Sequence, residues 1–213
     1  MDSNTINPSA AEEVMSAVEK SGYWFGSSFS PEQVPPLINS IGKKIYVTDV
    51  TVKPDSKALV TSDRALDFHT DHHRADLILW HCIHQSDQGG ESIMLDAYDL
   101  LARLSSGQRE LLKKTMLFEH KVFPDDPEQF PVLSSRLGRD KIYYSFWLQK
   151  DKLLPDQRDA FFAFKRLTET SEPITILLKP SDVLIMDNGR LLHGRKAIMG
   201  NKNRLLKRYW IER

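Results

Sequence analysis

The stretch that most limits what this chain can fold into is its C-terminal end, "ITILLKPSDVLIMDNGRLLHGRKAI" followed by "MGNKN" and "RLLKRYWIER". Apolar runs only a few residues long alternate there with Pro-Ser-Asp, Asp-Asn-Gly and Gly-Asn-Lys-Asn. Runs that short, bounded by turn formers, read as strands and not as helices. Earlier in the chain "KKIYVTDVTV" alternates and is rich in β-branched residues. "ADLILWHCIHQ" reads the same way, followed by the turn "SDQGG" and the short strand "ESIML". Further short strands are expected in "FPDDPEQFPVLSSRLGRDKIYYSF", broken by prolines and the turn "LGRD".

Helices fill the gaps. "SAAEEVMSAVEKSG" has Ser9 as a cap, Glu12 three residues on and Gly22 as a stop. "SPEQVPPLINSIG" carries Ser30 as a cap and Pro31 in the first turn, with Pro35-Pro36 expected to shorten or kink it. Asp96 opens "DAYDLLARL", "SSGQRELLKKTM" follows, and "LPDQRDAFFAFKRLTET" sets Phe161, Phe164 and Leu167 at helical spacing. Many short strands with a few helices predict a mainly β protein with flanking helices, a sandwich or barrel with helical buttresses. No repeat or linker divides residues 1–213, so a single domain is expected.

Charge and cysteine usage exclude several functions. Twenty-nine basic and 29 acidic residues cancel, so no global field draws in nucleic acid or an anionic membrane. The one cysteine, Cys82, rules out an internal disulfide or a multi-thiolate zinc site. The polar, acidic start carries no signal-peptide pattern and no apolar run is long enough to span a bilayer, so a soluble, cytoplasmic protein acting on a small molecule is expected. Self-association into a homo-oligomer is left open by the sequence.

The chemistry concentrates in "LDFHTDHHRADLILWHCIHQSDQGGES", which holds five of the seven histidines: His69, His72, His73, His81 and His84. In an extended segment residues i and i+2 point the same way, so His69 and Asp71 present two ligands to one point. The best third ligand is His193 in "DNGRLLHGR", at the end of an apolar strand. Two imidazoles and a carboxylate leave half an octahedron open, which suits non-haem ferrous iron. Arg204, Leu206 and Arg208 share a strand face, and a buried guanidinium there makes a fork for a dicarboxylate. Ser92 in "GGES" adds a hydroxyl that could share that carboxylate.

The order HTD, GGES before an acidic-headed helix, LKPSDVLIMDNGRLLHGR and a strand arginine resembles the ferrous iron and 2-oxoglutarate-dependent dioxygenases of the taurine dioxygenase and clavaminate synthase-like superfamily. "DNGRLLHGR" looks especially like the γ-butyrobetaine and trimethyllysine hydroxylase branch. The resemblance covers roughly residues 66–104 and 174–210. It implies a double-stranded β-helix, or jelly roll, over 66–213 with an insert, residues 1–65 supporting it. It implies Fe(II) on His69, Asp71 and His193, with 2-oxoglutarate as co-substrate paired to Arg204 and Ser92. Dioxygen then converts the co-substrate to succinate and carbon dioxide while a substrate C–H bond is hydroxylated. The carboxylate ligand Asp71 argues against halogenation. With 68 residues before the HTD motif, the usual N-terminal elements and lid are expected to be trimmed, and the zinc module of the γ-butyrobetaine branch to be lacking.

Three further residues are assigned to substrate. Arg208 lies at an offset from Arg204 where taurine dioxygenase-like enzymes can hold the substrate's acidic group, against the plainer reading of a rim salt bridge. Tyr144, or its neighbour Tyr143, should face inward, with core packing as the alternative. His81 shares a face with Leu77 and Leu79 and is either a pocket residue or a hydrogen-bonded core histidine. Arg195 is expected to anchor a loop beside the metal. The substrate expected is a small polar metabolite, an amino acid or a derivative of one. The rival readings are a jelly-roll binding module without turnover and a cupin-like metal enzyme without 2-oxoglutarate. A third, the phosphoesterase motif "DHH", needs upstream aspartates that "YVTDVTVKPDS" does not supply.

Overall fold

The computed structural model describes residues 8–53, 55–136, 138–149 and 153–213. In chain order the elements are α1 (Pro8–Ser21), β1 (Tyr23–Gly26), α2 (Val34–Ile41), β2 (Lys43–Thr51), β3 (Leu66–His69), β4 (Leu77–His84) and β5 (Ser92–Asp96). Next come α3 (Ala97–Ala102), α4 (Ser106–Lys114), β6 (Met116–Phe118), β7 (Gln129–Pro131), β8 (Leu133–Arg136) and β9 (Arg139–Ile142). The chain finishes with α5 (Pro155–Thr170), β10 (Ile174–Ile176), β11 (Val183–Asp187), β12 (Leu191–Arg195) and β13 (Leu205–Glu212).

Two antiparallel sheets form the body. The larger has the order β1-β11-β4-β13-β2 and the smaller β10-β5-β12-β3. Strand alternation sends one set of side chains between the sheets and the other outward. Ile78, Cys82, Met94, Leu184, Met186, Leu191, Leu206 and Trp210 pack between them. On the outside of the larger sheet Leu77, Leu79, Val183, Ile185 and Ile211 take the apolar faces of α1 and α2. On the outside of the smaller sheet Leu95 and Leu192 meet α3, α4 and α5 through Leu100, Leu112, Phe161 and Phe164. The helical buttresses therefore lie on both outer faces of a jelly roll, as the sequence led us to expect. No helix among the described residues is long and apolar enough to cross a membrane.

Local chemistry accounts for most boundaries. Asp96 caps α3 by accepting from the Tyr98 N–H, and Ser105 caps α4 by accepting from the Gln108 N–H. Helix α1 begins at Pro8, so Ser9 lies inside its first turn instead of ahead of it. Pro35 and Pro36 do not kink α2: they fall in its first turn, where a missing N–H costs nothing, after a 3-10 turn at Pro31–Gln33. Strand β1 pairs with β11 and had no recognised signal in the sequence. The turn expected at "LGRD" begins on residue 137, outside the described residues.

Candidate metal centre

Strand pairing brings the distant histidine to the HTD motif. In the β12–β3 ladder His193 lies directly opposite His69, and their rings sit 4.3 Å apart. Gly194 permits this approach, because a Cβ there would lie 2.5 Å from the Leu66 carbonyl oxygen. The tripeptide between is pinned by its own middle residue. Thr70 donates its N–H to the Tyr144 carbonyl at 2.7 Å, and its Oγ1 accepts from the Tyr144 N–H at 2.9 Å. Asn188, in the β11–β12 turn, accepts from the Asp71 N–H at 2.8 Å and donates to the His72 and Ala75 carbonyls at 3.1 and 2.9 Å. Buried Asn188 thus holds the loop that presents Asp71.

The three groups converge. Asp71 Oδ1 is 3.8 Å from Nε2 of both His69 and His193, and one donor atom from each residue lies within 4.8 Å of the others. All three side chains are buried. His69 donates from Nδ1 to the Asp67 carbonyl at 2.9 Å, which leaves the Nε2 lone pair facing the centre. Neither nitrogen of His193 has a hydrogen-bond partner among the described residues. Burial lowers the pKa of both imidazoles, that of His193 to about 3 with His69 adding to the effect. Burial alone would raise that of Asp71, but the charge of Arg208, the two histidines and the Trp210 N–H carry it down to about 2. Two neutral imidazoles and an ionised carboxylate are a donor set and protonation state that suit a ferrous ion.

Beside these three residues lies a cavity lined by His69, His193, Ser92, Arg195, Arg204 and Arg208, with Val50, Leu66, Met186 and Leu206 among its apolar walls. Arg204 is buried and forms no hydrogen bond or ion pair among the described residues, its Nε wholly unsatisfied. Burial, with Arg195 nearby, lowers its pKa to about 10, so it stays charged at neutral pH. Arg195 is committed elsewhere, donating to the carbonyls of Leu59, Val60, Ser62 and Arg64 at 2.7–3.5 Å, and so ties segment 59–64 against the cavity. That is the loop-anchoring role expected of it.

Arg208, on the inner face of β13, lines the cavity with Arg204, which lies one residue ahead of the strand, but one of its donors is engaged: Nη1 lies 2.8 Å from Asp71 Oδ1. The other carboxylate oxygen, Oδ2, accepts from the Trp210 indole N–H at 2.7 Å. The structure does not bring His81 or Tyr144 to this centre. His81 follows the parity of Leu77 and Leu79 to the outer face, its Nε2 3.2 Å from the Phe29 carbonyl. Tyr144 packs outside the smaller sheet against Phe161 and Phe164. Strand parity decides the direction of His81, and the apolar face of α5 that of Tyr144, which follows β9. Sequence reasoning missed Asn188, which reads as an ordinary turn residue, and Trp210, which reads as core. Its position, in phase with Arg204 and Arg208, was the available signal.

A second cluster adjoins the first. His72 Nε2 lies 2.9 Å from Asp126 Oδ2 and 3.6 Å from Glu119 Oε1, while His73 Nδ1 contacts Glu119 Oε2. These groups could be read as a further metal site. However, His72 Nδ1 accepts the Arg74 N–H at 3.2 Å, which places the imidazole proton on Nε2 and leaves no lone pair for an ion. Glu119 also accepts from the Tyr143 hydroxyl and the His120 N–H. We read the cluster as a hydrogen-bonded strut behind Asp71.

Known proteins resemble this chain in sequence and fold. The family model of taurine catabolism dioxygenase TauD, TfdA family, matches residues 8–210. Human γ-butyrobetaine dioxygenase is 28% identical over 203 residues, covering 81% of this chain and 51% of that protein, so the chain spans about half the length of this relative. Among solved structures, asparagine oxygenase with Fe(II), 3-hydroxyasparagine and succinate superposes with a TM-score of 0.79 at 13% identity, over 97% of this chain and 80% of that one. The non-haem iron oxygenase OrfP with iron and α-ketoglutaric acid gives 0.77 at 14%, over 97% and 81%. The likeness to these structures establishes a double-stranded β-helix; the family match establishes descent. The chain belongs to the TauD/TfdA dioxygenase family.

Proposed function

We propose that this chain is an Fe(II)- and 2-oxoglutarate-dependent oxygenase that hydroxylates a C–H bond of a small polar metabolite, an amino acid or amino-acid derivative. The observation that carries the reading is Arg204. A buried guanidinium with no acceptor is costly, and it shares one cavity with His69 and His193. A carboxylate arriving from solution removes that cost. A dicarboxylate has a second acid end to reach the ligands.

When bound with 2-oxoglutarate, ferrous iron supplies dioxygen activation coupled to decarboxylation of the co-substrate to succinate and carbon dioxide. The side chains do the rest. His69 and His193, kept neutral by burial, offer lone pairs, and ionised Asp71 offers charge. Arg204 pairs with the distal carboxylate, and Ser92 donates to it from the same wall. Val50, Leu66, Met186 and Leu206 keep water from the co-substrate. Arg208 turns toward the cavity with one N–H on Asp71 and an Nε that has no acceptor among the described residues, so it can take an acidic group of the substrate. An amino-acid substrate is supported by that cation and by the hydroxylated asparagine bound in the asparagine oxygenase structure.

The test is differential. In Arg204→Ala, 2-oxoglutarate affinity should fall at least a hundredfold while Fe(II) affinity stays within about threefold. Equal loss of both, or retention of 2-oxoglutarate binding, would remove Arg204 from the co-substrate site.

A further inference from the structure

We propose that Trp210 determines which oxygen of Asp71 is offered to the metal: its indole N–H holds Oδ2 away from the histidines and leaves Oδ1 as the ligating atom. The inference rests on the metal-centre reading above and goes beyond it, since nothing in the ligand triad itself fixes the rotation of the carboxylate.

The two oxygens are not equivalent. Oδ1 stands 3.8 Å from each of the two Nε2 atoms, whereas Oδ2 is held by Trp210 Nε1 at 2.7 Å. An indole N–H can only donate, so it can neither ligate an ion nor be displaced into ligation. The ring is itself fixed. Trp210 sits on β13, paired on one side with β2 and on the other with β4, and is 4% exposed. Its ring lies nearly parallel to that of His72, at 5.4 Å and 26°, and 4.7 Å from that of Tyr46. His72 in turn is braced by Asp126, which gives the second histidine cluster a purpose.

The coordination count gives the device a consequence. On a six-coordinate ion two histidines and one carboxylate oxygen would take three positions and leave three open for co-substrate and dioxygen. An Asp71 free to turn would present either oxygen, or both, and two bound oxygens would close one of those positions. Arg208 also restrains this carboxylate, but its Nη1 contacts Oδ1, the oxygen that faces the histidines, whereas the Trp210 bond withholds Oδ2 from them.

Trp210→Phe keeps the ring in the stack and removes only the donor. Anaerobic titration with Fe(II) should show affinity reduced 10- to 100-fold, as when an outer partner of a metal ligand is lost. The thermal midpoint of the metal-free protein should stay near that of the parent. An affinity within twofold of the parent, or a tighter one, overturns the proposal. Failure of the parent itself to bind Fe(II) would overturn the functional reading instead, so the two are separable.

If Trp210→Phe does not fold, the parent protein still decides the matter. The four tryptophans give four indole N–H signals in a 15N-labelled sample. One of them should exchange slowly with solvent, move on addition of Zn(II) as a diamagnetic probe, and be displaced in Asp71→Ala. If Asp71→Ala leaves all four in place, the bond from Trp210 does not exist in solution and the proposal fails.

Discussion

Single residues in this protein carry opposing demands of stability and chemistry. Arg204 is the clearest case, a buried cation with no acceptor among the described residues, for which we propose the co-substrate's carboxylate. Replacing it by the apolar, similarly long methionine removes a desolvated charge, a change that is typically neutral or stabilising by ~1–4 kcal/mol. We therefore expect the metal-free Arg204→Met protein to melt at or above the parent temperature while 2-oxoglutarate no longer protects it against unfolding. A lower melting temperature without ligand would show that Arg204 has an internal role. Cys82 has a quieter one. It is fully buried and burial raises its thiol pKa to about 11. At pH 8 it should resist iodoacetamide in the native state and react on unfolding, which mass spectrometry reads directly.

Elements act by placing groups that are far apart in the chain. The β12–β3 crossing sets His193 against His69, and it tolerates only a hydrogen at residue 194. Gly194→Ala should push the strands apart, weaken Fe(II) binding more than tenfold and destabilise the fold by about 1–3 kcal/mol through strain in a packed core. Unchanged iron affinity would mean that the strands can separate without moving the ligands. In the same way Asn188→Ala strips the Asp71 loop of its side-chain anchor and strands buried groups, at about 1–3 kcal/mol for each. Denaturant melts of the metal-free protein measure that loss. Much at this scale was legible beforehand. Asp96 capped the helix expected of it, Arg204 lay one residue ahead of the strand whose inner face it extends, and Arg195 anchored a loop. What stayed hidden was orientation. His81 and Tyr144 lie on strands or beside them, and only the helices packed outside each sheet show that both turn away from the cavity. Trp210 was equally opaque, since a hydrogen bond to Asp71 depends on how β13 docks and not on local sequence.

At the scale of the molecule, two sheets enclose His69, Asp71 and His193 and two helical layers seal the outer faces, so that the candidate metal centre sits where the sheets' inner side chains meet. The fold class was readable because alternation and turn signals repeat along the chain; the family resemblance added the topology, and the match over residues 8–210 bears it out. We propose that one cavity joins the residues that would hold iron to a carboxylate anchor, and anaerobic absorption spectroscopy with Fe(II) and 2-oxoglutarate added in turn tests this directly. A visible metal-to-ligand charge-transfer band should appear only with both present, and should be lost in Arg204→Ala and in His193→Ala. Iron binding with no such band, or a band indifferent to both substitutions, would contradict the claim.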